Sequence, residues 1–293
     1  MAIVKKETLK SAGGTSSAVK STISGGTSIT EARRRRPPAP LFALPTERCV
    51  PSGQLGDFTW LIYGAKGIGK TSLAAQMDSR GGKVLFCMFE PGKGDLSIFA
   101  TPVITDWSQF KNVVSQLETD KQGFTTVVID PGSTAYKRCL EYSCRELGII
   151  HPGRQKDYGA SWDRVNTEFQ EIHGRIAALD MGFIVLAHDK DAEIERRDGA
   201  KFNKTVPVMS GSTEEFYAGI IDIIAYFEYV GQERWLRIRG DEYTQAKCRL
   251  DTHFRTPAGE RVVRIPAGES AEEAWANVVL AFQNKQAKTY ADL

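Results

Sequence analysis

A glycine-rich stretch at residues 64–71, with the sequence GAKGIGKT, contains the residues whose types and spacing most clearly predict chemistry. It fits the pattern G-x-x-x-x-G-K-[ST], in which backbone N–H groups surround the phosphates of a nucleotide. Glycine permits positive φ angles and a close approach of the backbone to an anion. Lys70 would place its charge against the outer phosphates, and the hydroxyl of Thr71 would ligate Mg²⁺. The residues expected to bind the nucleotide are Gly64, Ala65, Lys66, Gly67, Ile68, Gly69, Lys70, Thr71 and Ser72.

The segments on either side of this stretch predict the strand and the helix that the motif requires. Residues 58–63 (FTWLIY) are aromatic and β-branched, which is typical of a buried strand. Residues 72–77 (SLAAQM) predict the helix that follows. A glycine-rich turn that binds nothing is the structural alternative, but the strand–loop–helix order favours a nucleoside triphosphate site.

Three further apolar runs predict buried strands, at residues 83–89, 124–130 and 183–188. Their polar ends are Glu90, Asp130 and His188, and the carboxyl ends of parallel strands form one rim where ligands bind. Asp130 would orient the ligands of Mg²⁺, or would only open a turn. Glu90 would polarise the water that attacks the γ-phosphate, or would only cap its own turn. His188 would sense the γ-phosphate, or would be structural.

Two basic residues near the end of the sheet region, Lys247 and Arg249, are spaced so that both side chains point the same way on a strand. If they faced the γ-phosphate of a neighbouring subunit, they would stabilise the charge that develops during its transfer. The alternative is that they are two exposed cations on an edge strand.

The remaining pattern predicts an α/β fold, with a mainly parallel central sheet flanked by helices and an antiparallel C-terminal edge. The predicted helices cover residues 106–118, 133–147, 162–180 and 270–283. The predicted C-terminal strands cover residues 221–230, 234–239 and 262–265. Residues 148–160 predict a polar loop, and the charged residues 189–210 predict a mobile one. One domain, from residue 50 to residue 293, accounts for all of these elements.

The first 49 residues have a different composition, rich in Ser, Gly, Thr and Ala and followed by four consecutive arginines at 33–36. Such a stretch buries too little apolar surface to offset its ordering entropy, so we predict a disordered tail. Residues 1–50 have a net charge of +6 against +2 for the whole chain, which leaves −4 for residues 51–293. The tail would contact nucleic acid or another acidic surface, or would only be solvated.

Other features of the composition narrow the class of protein. The five cysteines contain no CxxC pair, which argues against a disulfide framework or a zinc site. No apolar signal region follows Met1, and no window approaches the roughly 18 apolar residues of a membrane span. We therefore expect a cytoplasmic protein with no membrane partner.

Together, these motifs and their order resemble the RecA-like P-loop ATPase superfamily. The chain looks most like its compact phage-type ATP-binding proteins (AAA_24-like), relatives of recombinases, some of which promote single-strand annealing. The similarity covers about residues 55–255. It implies ATP and Mg²⁺ as ligands, Glu90 and Lys70 as catalytic residues, and Lys247 and Arg249 acting across a subunit boundary of a homo-oligomer. His188 would stand where recombinases usually carry a Gln that couples nucleotide state to DNA binding. A phage-encoded protein would work in the host cytoplasm.

The resemblance also implies two DNA-binding loops, at residues 148–160 and 190–207. Basic residues there suit the phosphates of a single strand, and aromatic rings suit stacking on its bases. The alternative for the second segment, which also contains several acids, is a solvated loop. The residues concerned are Arg154, Lys156, Tyr158, Arg196, Arg197, Lys201, Phe202 and Lys204.

Three functions therefore remain open at this stage. The first is a Mg²⁺-dependent ATPase that assembles on single-stranded DNA and assists recombination or annealing, with a single-strand-binding or replication protein as a further partner. The second is a nucleotide-gated assembly or adaptor ATPase without DNA coupling. The third is a small-molecule kinase, which would need a lid and an acceptor pocket and which the C-terminal ribbon fits poorly. ATP rather than GTP follows from the resemblance, since the guanine-reading motif Asn-Lys-x-Asp is missing from the sequence.

Overall fold

The computed structural model describes residues 46–48, 52–78, 81–92 and 94–293. Contacts divide the chain into two units, Met1–Val50 and Pro51–Leu293, and the fold below is that of the second unit. The tail predicted at residues 1–49 lies, apart from 46–48, outside the described residues, and its disorder stays a prediction.

Eleven strands are found in the described part of the chain, nine of them in one sheet. In sheet order the nine run β11-β9-β8-β1-β5-β4-β2-β3, with β10 beside β8, and β6 and β7 form a separate hairpin. The strands are β1 Thr59–Gly64, β2 Lys83–Met88, β3 Phe99–Ala100, β4 Phe124–Asp130, β5 Gly182–Ala187, β6 Asp189–Glu195, β7 Lys201–Pro207, β8 Ile223–Val230, β9 Glu233–Arg237, β10 Lys247–Cys248 and β11 Arg264–Pro266.

Helices cover both faces of this sheet. Residues Leu55–Asp57 and Pro152–Arg154 form short 3₁₀ helices. The helices are α1 Lys70–Ala75, α2 Trp107–Thr119, α3 Gly132–Leu147, α4 Ala160–Ala177, α5 Gly211–Ile220 and α6 Ala271–Phe282.

The central strand β1 shows why the apolar runs become strands buried on both faces. It pairs in parallel with β5 on one side and with β8 on the other. Alternate side chains of a strand point to opposite faces. Trp60 and Ile62 therefore pack into one hydrophobic layer, while Leu61 and Tyr63 pack into the other. With both faces covered, a continuous apolar sequence is required.

Helix α2 begins where its sequence predicts, because Asp106 forms a capping box. The Asp106 carboxylate accepts a hydrogen bond from the Ser108 amide at 2.9 Å, and the Gln109 side chain accepts one from the Asp106 amide at 3.2 Å. These bonds satisfy amides that the first turn leaves unpaired. Helix α6 is capped by the Ser270 hydroxyl, which accepts a hydrogen bond from the Glu273 amide at 3.1 Å.

The predicted fold class is confirmed: the sheet is parallel from β8 to β3, and β8, β9, β10 and β11 pair antiparallel at the C-terminal edge. The prediction of a loop at residues 189–210 is wrong. This segment forms the antiparallel hairpin β6–β7, and α5, which the sequence did not predict, follows it. The helix predicted at residues 162–180 is α4, which begins two residues earlier and ends at Ala177.

Candidate functional site

The glycine-rich loop connects the end of β1 to the start of α1, and its glycines have conformations that other residues avoid. Gly64, Gly67 and Gly69 have φ angles of +154°, +80° and +109°. A Cβ atom on Gly64 would lie 2.2 Å from the carbonyl oxygen of Phe227 on β8. The loop therefore starts in contact with the neighbouring strand, and only glycine fits there.

Lys70 lies at the beginning of α1 and is buried, with 8% of its surface exposed. Its Nζ donates to the carbonyl oxygens of Gly64 and Ala65, both at 2.8 Å. Burial lowers the pKa of Lys70, while the nearby carboxylate of Asp130 acts in the opposite direction. The loop carbonyls thus fix the position of the ammonium group within the loop.

Thr71 and Asp130 come together from α1 and the end of β4. The Thr71 hydroxyl donates to Oδ2 of Asp130 at 2.9 Å. Burial raises the pKa of Asp130, while the hydrogen bond from Thr71 and the charge of Lys70 oppose that shift. In the described part of the chain, no group of three or more His, Cys, Asp or Glu residues would hold a metal by itself. The pair fits Mg²⁺, which protein sites bind through one or two side chains together with substrate phosphates and water.

Glu90 follows β2 and faces the same region. The hydroxyl of Thr134, in the first turn of α3, donates a short hydrogen bond to Oε1 of Glu90. A cleft of about 490 Å³ opens here, and the phosphate loop forms one of its walls. Its lining includes five predicted residues, two from the start of α1 and three from the ends of β2, β4 and β5: Lys70, Thr71, Glu90, Asp130 and His188.

His188 directly follows β5, and its ring is partly buried. No atom of the described residues makes a hydrogen bond with its buried Nδ1. Burial lowers the pKa of His188, and the positive charges of Lys70 and Lys66 add to this effect. A lowered pKa favours the neutral ring, in which one nitrogen donates a hydrogen bond and the other accepts one.

Lys247 and Arg249 do point in the same direction, since both donate to the carbonyl oxygen of Ala218, at 2.6 and 3.1 Å. However, Lys247 is paired with Ile224, near the amino end of β8, while the phosphate loop leaves β1 opposite Phe227, further along that strand. The fold thus does not bring these two residues into the cleft of their own chain. Their action across a subunit boundary stays a prediction.

The residues of the two predicted DNA-binding segments lie in different environments. Tyr158, with φ +55°, is fully exposed in the turn before α4, and Arg154 and Lys156 precede it. The second set lies on the hairpin β6–β7, where basic side chains pair with acids and rings. Arg196 pairs with Glu242 and lies over the Phe202 ring at 5.2 Å, Lys201 pairs with Glu193 at 2.7 Å, and Phe202 packs against Tyr243.

Two residues at this site were not identified from the sequence. Thr134 holds Glu90, and Arg234 on β9 donates from Nη1 to the carbonyl oxygen of Ile68 in the phosphate loop, at 3.3 Å. Neither belongs to a motif. Their partners lie 44 and 166 residues away in the chain, so no local pattern marks them.

Fold and site together define a P-loop NTPase domain with a mainly parallel α/β sheet. Residues 57–250 match the family model described as an AAA domain, AAA_24, and the chain belongs to this family. No curated protein matches the chain. Among solved structures, the crystal structure of the RadB recombinase is similar at 17% identity and a TM-score of 0.37, covering 64% of this chain and 83% of that one. Within the described ranges, every helix is too short or too polar to cross a membrane.

Proposed function

We propose that this chain is a Mg²⁺-dependent ATPase that hydrolyses the β–γ bond of ATP bound at residues 64–72. One observation carries the proposal: five side chains, two from the start of α1 and three from the ends of β2, β4 and β5, converge on the cleft beside the phosphate loop. Their types match the roles that phosphoryl transfer to water requires, which are phosphate binding, metal ligation and activation of the nucleophile.

Each side chain has a distinct role in this proposal. Lys70 and the loop amides bind the phosphates, and Thr71 with Asp130 would hold Mg²⁺, which neutralises phosphate charge when bound. Glu90, held by Thr134, polarises the attacking water and accepts its proton. The neutral ring of His188 hydrogen-bonds the outer phosphate.

Replacing Glu90 with Gln tests this assignment, because the amide keeps the shape of the side chain and loses its basicity. We expect ATP affinity within about threefold of wild type and a turnover rate at least about 100-fold lower. Glu146→Gln, at an exposed position on α3, is the matched control and should leave both unchanged. Normal turnover in the Glu90 variant would exclude Glu90 as the base.

We further propose that the ATPase acts with single-stranded DNA, in phage-type recombination or annealing. Support comes from Arg154, Lys156 and the fully exposed Tyr158, which combine positive charge with a ring free to stack on a base. Oligonucleotides should increase ATP turnover in wild type and in Tyr158→Phe, and less so in Tyr158→Ala. A rate that is the same with and without DNA would contradict DNA coupling.

An adaptor ATPase without DNA coupling is the second candidate, and the hairpin β6–β7 favours it. Its basic residues Arg196 and Lys201 are already paired with Glu242 and Glu193, so they have less positive charge to offer phosphates. In this case turnover would rise with protein concentration and be indifferent to DNA, because assembly alone completes the site.

Assembly can be tested through Lys247 and Arg249, which we propose complete the site of a neighbouring subunit. Lys70→Ala removes nucleotide binding in its own subunit, and Arg249→Ala removes the cation offered to the next. A mixture of the two inactive variants contains interfaces with an intact loop and an intact Arg249. We expect the mixture to recover activity that neither variant shows alone; no recovery would contradict action between subunits.

A further inference from the structure

Arg234, the second residue of β9, connects the phosphate loop to the antiparallel edge of the sheet. Its Nη1 donates to the carbonyl oxygen of Ile68 at 3.3 Å, and its Nε donates to the carbonyl oxygen of Gly268 at 2.8 Å. Nη1 also lies 3.1 Å from the position that a Cβ atom on Gly69 would occupy. A single guanidinium thus joins the tip of the loop to the segment between β11 and α6.

The surroundings of this guanidinium hold it in place without neutralising it. It lies over the ring of Phe227, 5.8 Å from the ring centroid. Nη2 is buried and makes no hydrogen bond within the described residues, and no carboxylate there pairs with Arg234. The positive charge beside the loop therefore has no ion-pair partner in the described part of the chain, although Glu233 and Glu269 line the same cavity. A fixed cation without a direct partner suits a site for an anion.

The ribbon β8–β9 consequently holds the phosphate loop at both ends. At the start of the loop, Gly64 lies against the backbone of Phe227 on β8, and at its tip Ile68 and Gly69 contact Arg234 on β9. A second cavity, of about 1030 Å³, opens between the loop and this ribbon. Its lining includes Gly67, Ile68, Gly69, Ser72 and Arg234, so the loop separates this cavity from the cleft that contains Glu90.

We propose that Arg234 is a positioning residue of the nucleotide site, which fixes the tip of the phosphate loop so that its amides are arranged before phosphate binds. The inference rests on the proposed function, since it concerns the same loop. A loop held in its binding conformation loses less conformational entropy when the ligand arrives, so affinity rises without a new contact to the ligand. The fixed cation adds an attraction for the phosphates that does not depend on the base.

Arg234→Ala is the test, and Arg239→Ala is its matched control. Arg239 also donates to two backbone carbonyl oxygens, those of Val262 and Cys248 at 3.1 and 3.3 Å, and its Nη2 is also buried without a partner among the described residues. Within the described residues, Arg239 makes no hydrogen bond with the phosphate loop. Both variants therefore lose an arginine that donates to backbone carbonyls, but only Arg234→Ala removes a hydrogen bond to the phosphate loop.

The readouts are steady-state ATP turnover and calorimetric binding of ATP and of inorganic tripolyphosphate, each with Mg²⁺. We expect Arg234→Ala to raise KM and both dissociation constants about tenfold, with kcat within about twofold, because loop positioning contributes equally to ground state and transition state. Arg234→Lys should behave like the alanine variant, since a compact ammonium does not reproduce the fork that spans Ile68 and Gly268. Arg239→Ala should leave all four quantities within about twofold.

Each other outcome has a definite meaning. Unchanged dissociation constants in Arg234→Ala would overturn the positioning role. Weaker binding of ATP with unchanged binding of tripolyphosphate would also overturn it, because that result would mean that Arg234 contacts the nucleoside and does not position the phosphate loop. Circular dichroism establishes that the variants are folded, and Arg234→Gln, similar in size but uncharged, replaces the alanine variant if that one unfolds. Wild-type protein that binds neither ligand would refute the proposed function itself.

Discussion

His173, on α4, should make the stability of this protein depend on pH in a range where most carboxylates stay ionised. Its ring is fully buried. Nδ1 lies 2.8 Å from the carbonyl oxygen of Phe169, which only accepts, so Nδ1 donates. Nε2 lies 2.9 Å from the hydroxyl of Tyr217 and, in the neutral ring, accepts from it. Burial lowers the pKa of His173 to about 4.

The size of the effect follows from that shift. In the unfolded chain the pKa is about 6.5, so the folded state lowers it by about 2.5 units, equivalent to about 3 kcal/mol. Because the folded pKa is the lower one, the unfolded chain takes up the proton first as the pH falls. The contribution of His173 to the free energy of unfolding is therefore fully present above about pH 6.5. It decreases as the pH falls from about 6.5 to 4, and it does not change further below pH 4.

Urea unfolding of wild type and His173→Asn between pH 7.5 and pH 4 measures this contribution. The asparagine amide can still donate to the carbonyl of Phe169 but does not titrate, so other groups affect both proteins alike. The stability difference between the two proteins should shrink by about 3 kcal/mol as the pH falls across this range. Two parallel curves would refute the reasoning, because they would mean that His173 is protonated at the same pH in both states.

Three further predictions concern the loop, the sheet edge and the tail. Gly64→Ala places a methyl group against the backbone of Phe227. We therefore expect the free energy of unfolding, measured with denaturant, to fall by about 2–3 kcal/mol, and calorimetry to detect no ATP binding. Near-normal binding would show that the loop can move away from Phe227. Glu228→Gln leaves two buried arginines, Arg237 and Arg264, without their shared carboxylate. The free energy of unfolding in the same assay should fall by about 3 kcal/mol. An unchanged unfolding midpoint would show that the carboxylate is dispensable. Removal of residues 1–45 should leave the ATPase rate within about twofold, because a tail of that composition adds little to a folded core, and loss of folding would contradict the predicted domain boundary.

The strands around the site were predictable because their burial leaves a continuous signal in the sequence. β1, β2, β4 and β5 are packed on both faces, so nearly every residue in them is apolar, and a polar residue then marks the end of the run. Parallel pairing brings those ends to one rim. This is why Glu90, Asp130 and His188 lie around one cleft, beside the loop that follows β1 and carries Lys70 at its end.

The hairpin β6–β7 was not predictable by the same reasoning. Most side chains of β6 are exposed, and those of β7 are mixed, so charged residues occur on both faces and the alternation that marks a half-buried strand is lost. Part of its support comes from distant residues: the hydroxyl of Tyr63 donates to the carbonyl oxygens of Thr205 and Gln245, at 3.2 and 2.6 Å. Contacts of this kind, like those of Thr134 and Arg234, exist only once the chain has folded.

The position of β1 between two parallel partners has a consequence for measurements of dynamics. Its amide protons are bonded within the middle of the sheet, so we expect their exchange with solvent deuterium to require opening of the whole domain. The loop that continues from it is tied down by fewer bonds and should exchange faster. Slower deuterium uptake in the loop after addition of nucleotide, with β1 as an internal standard, would therefore report occupancy of the site directly.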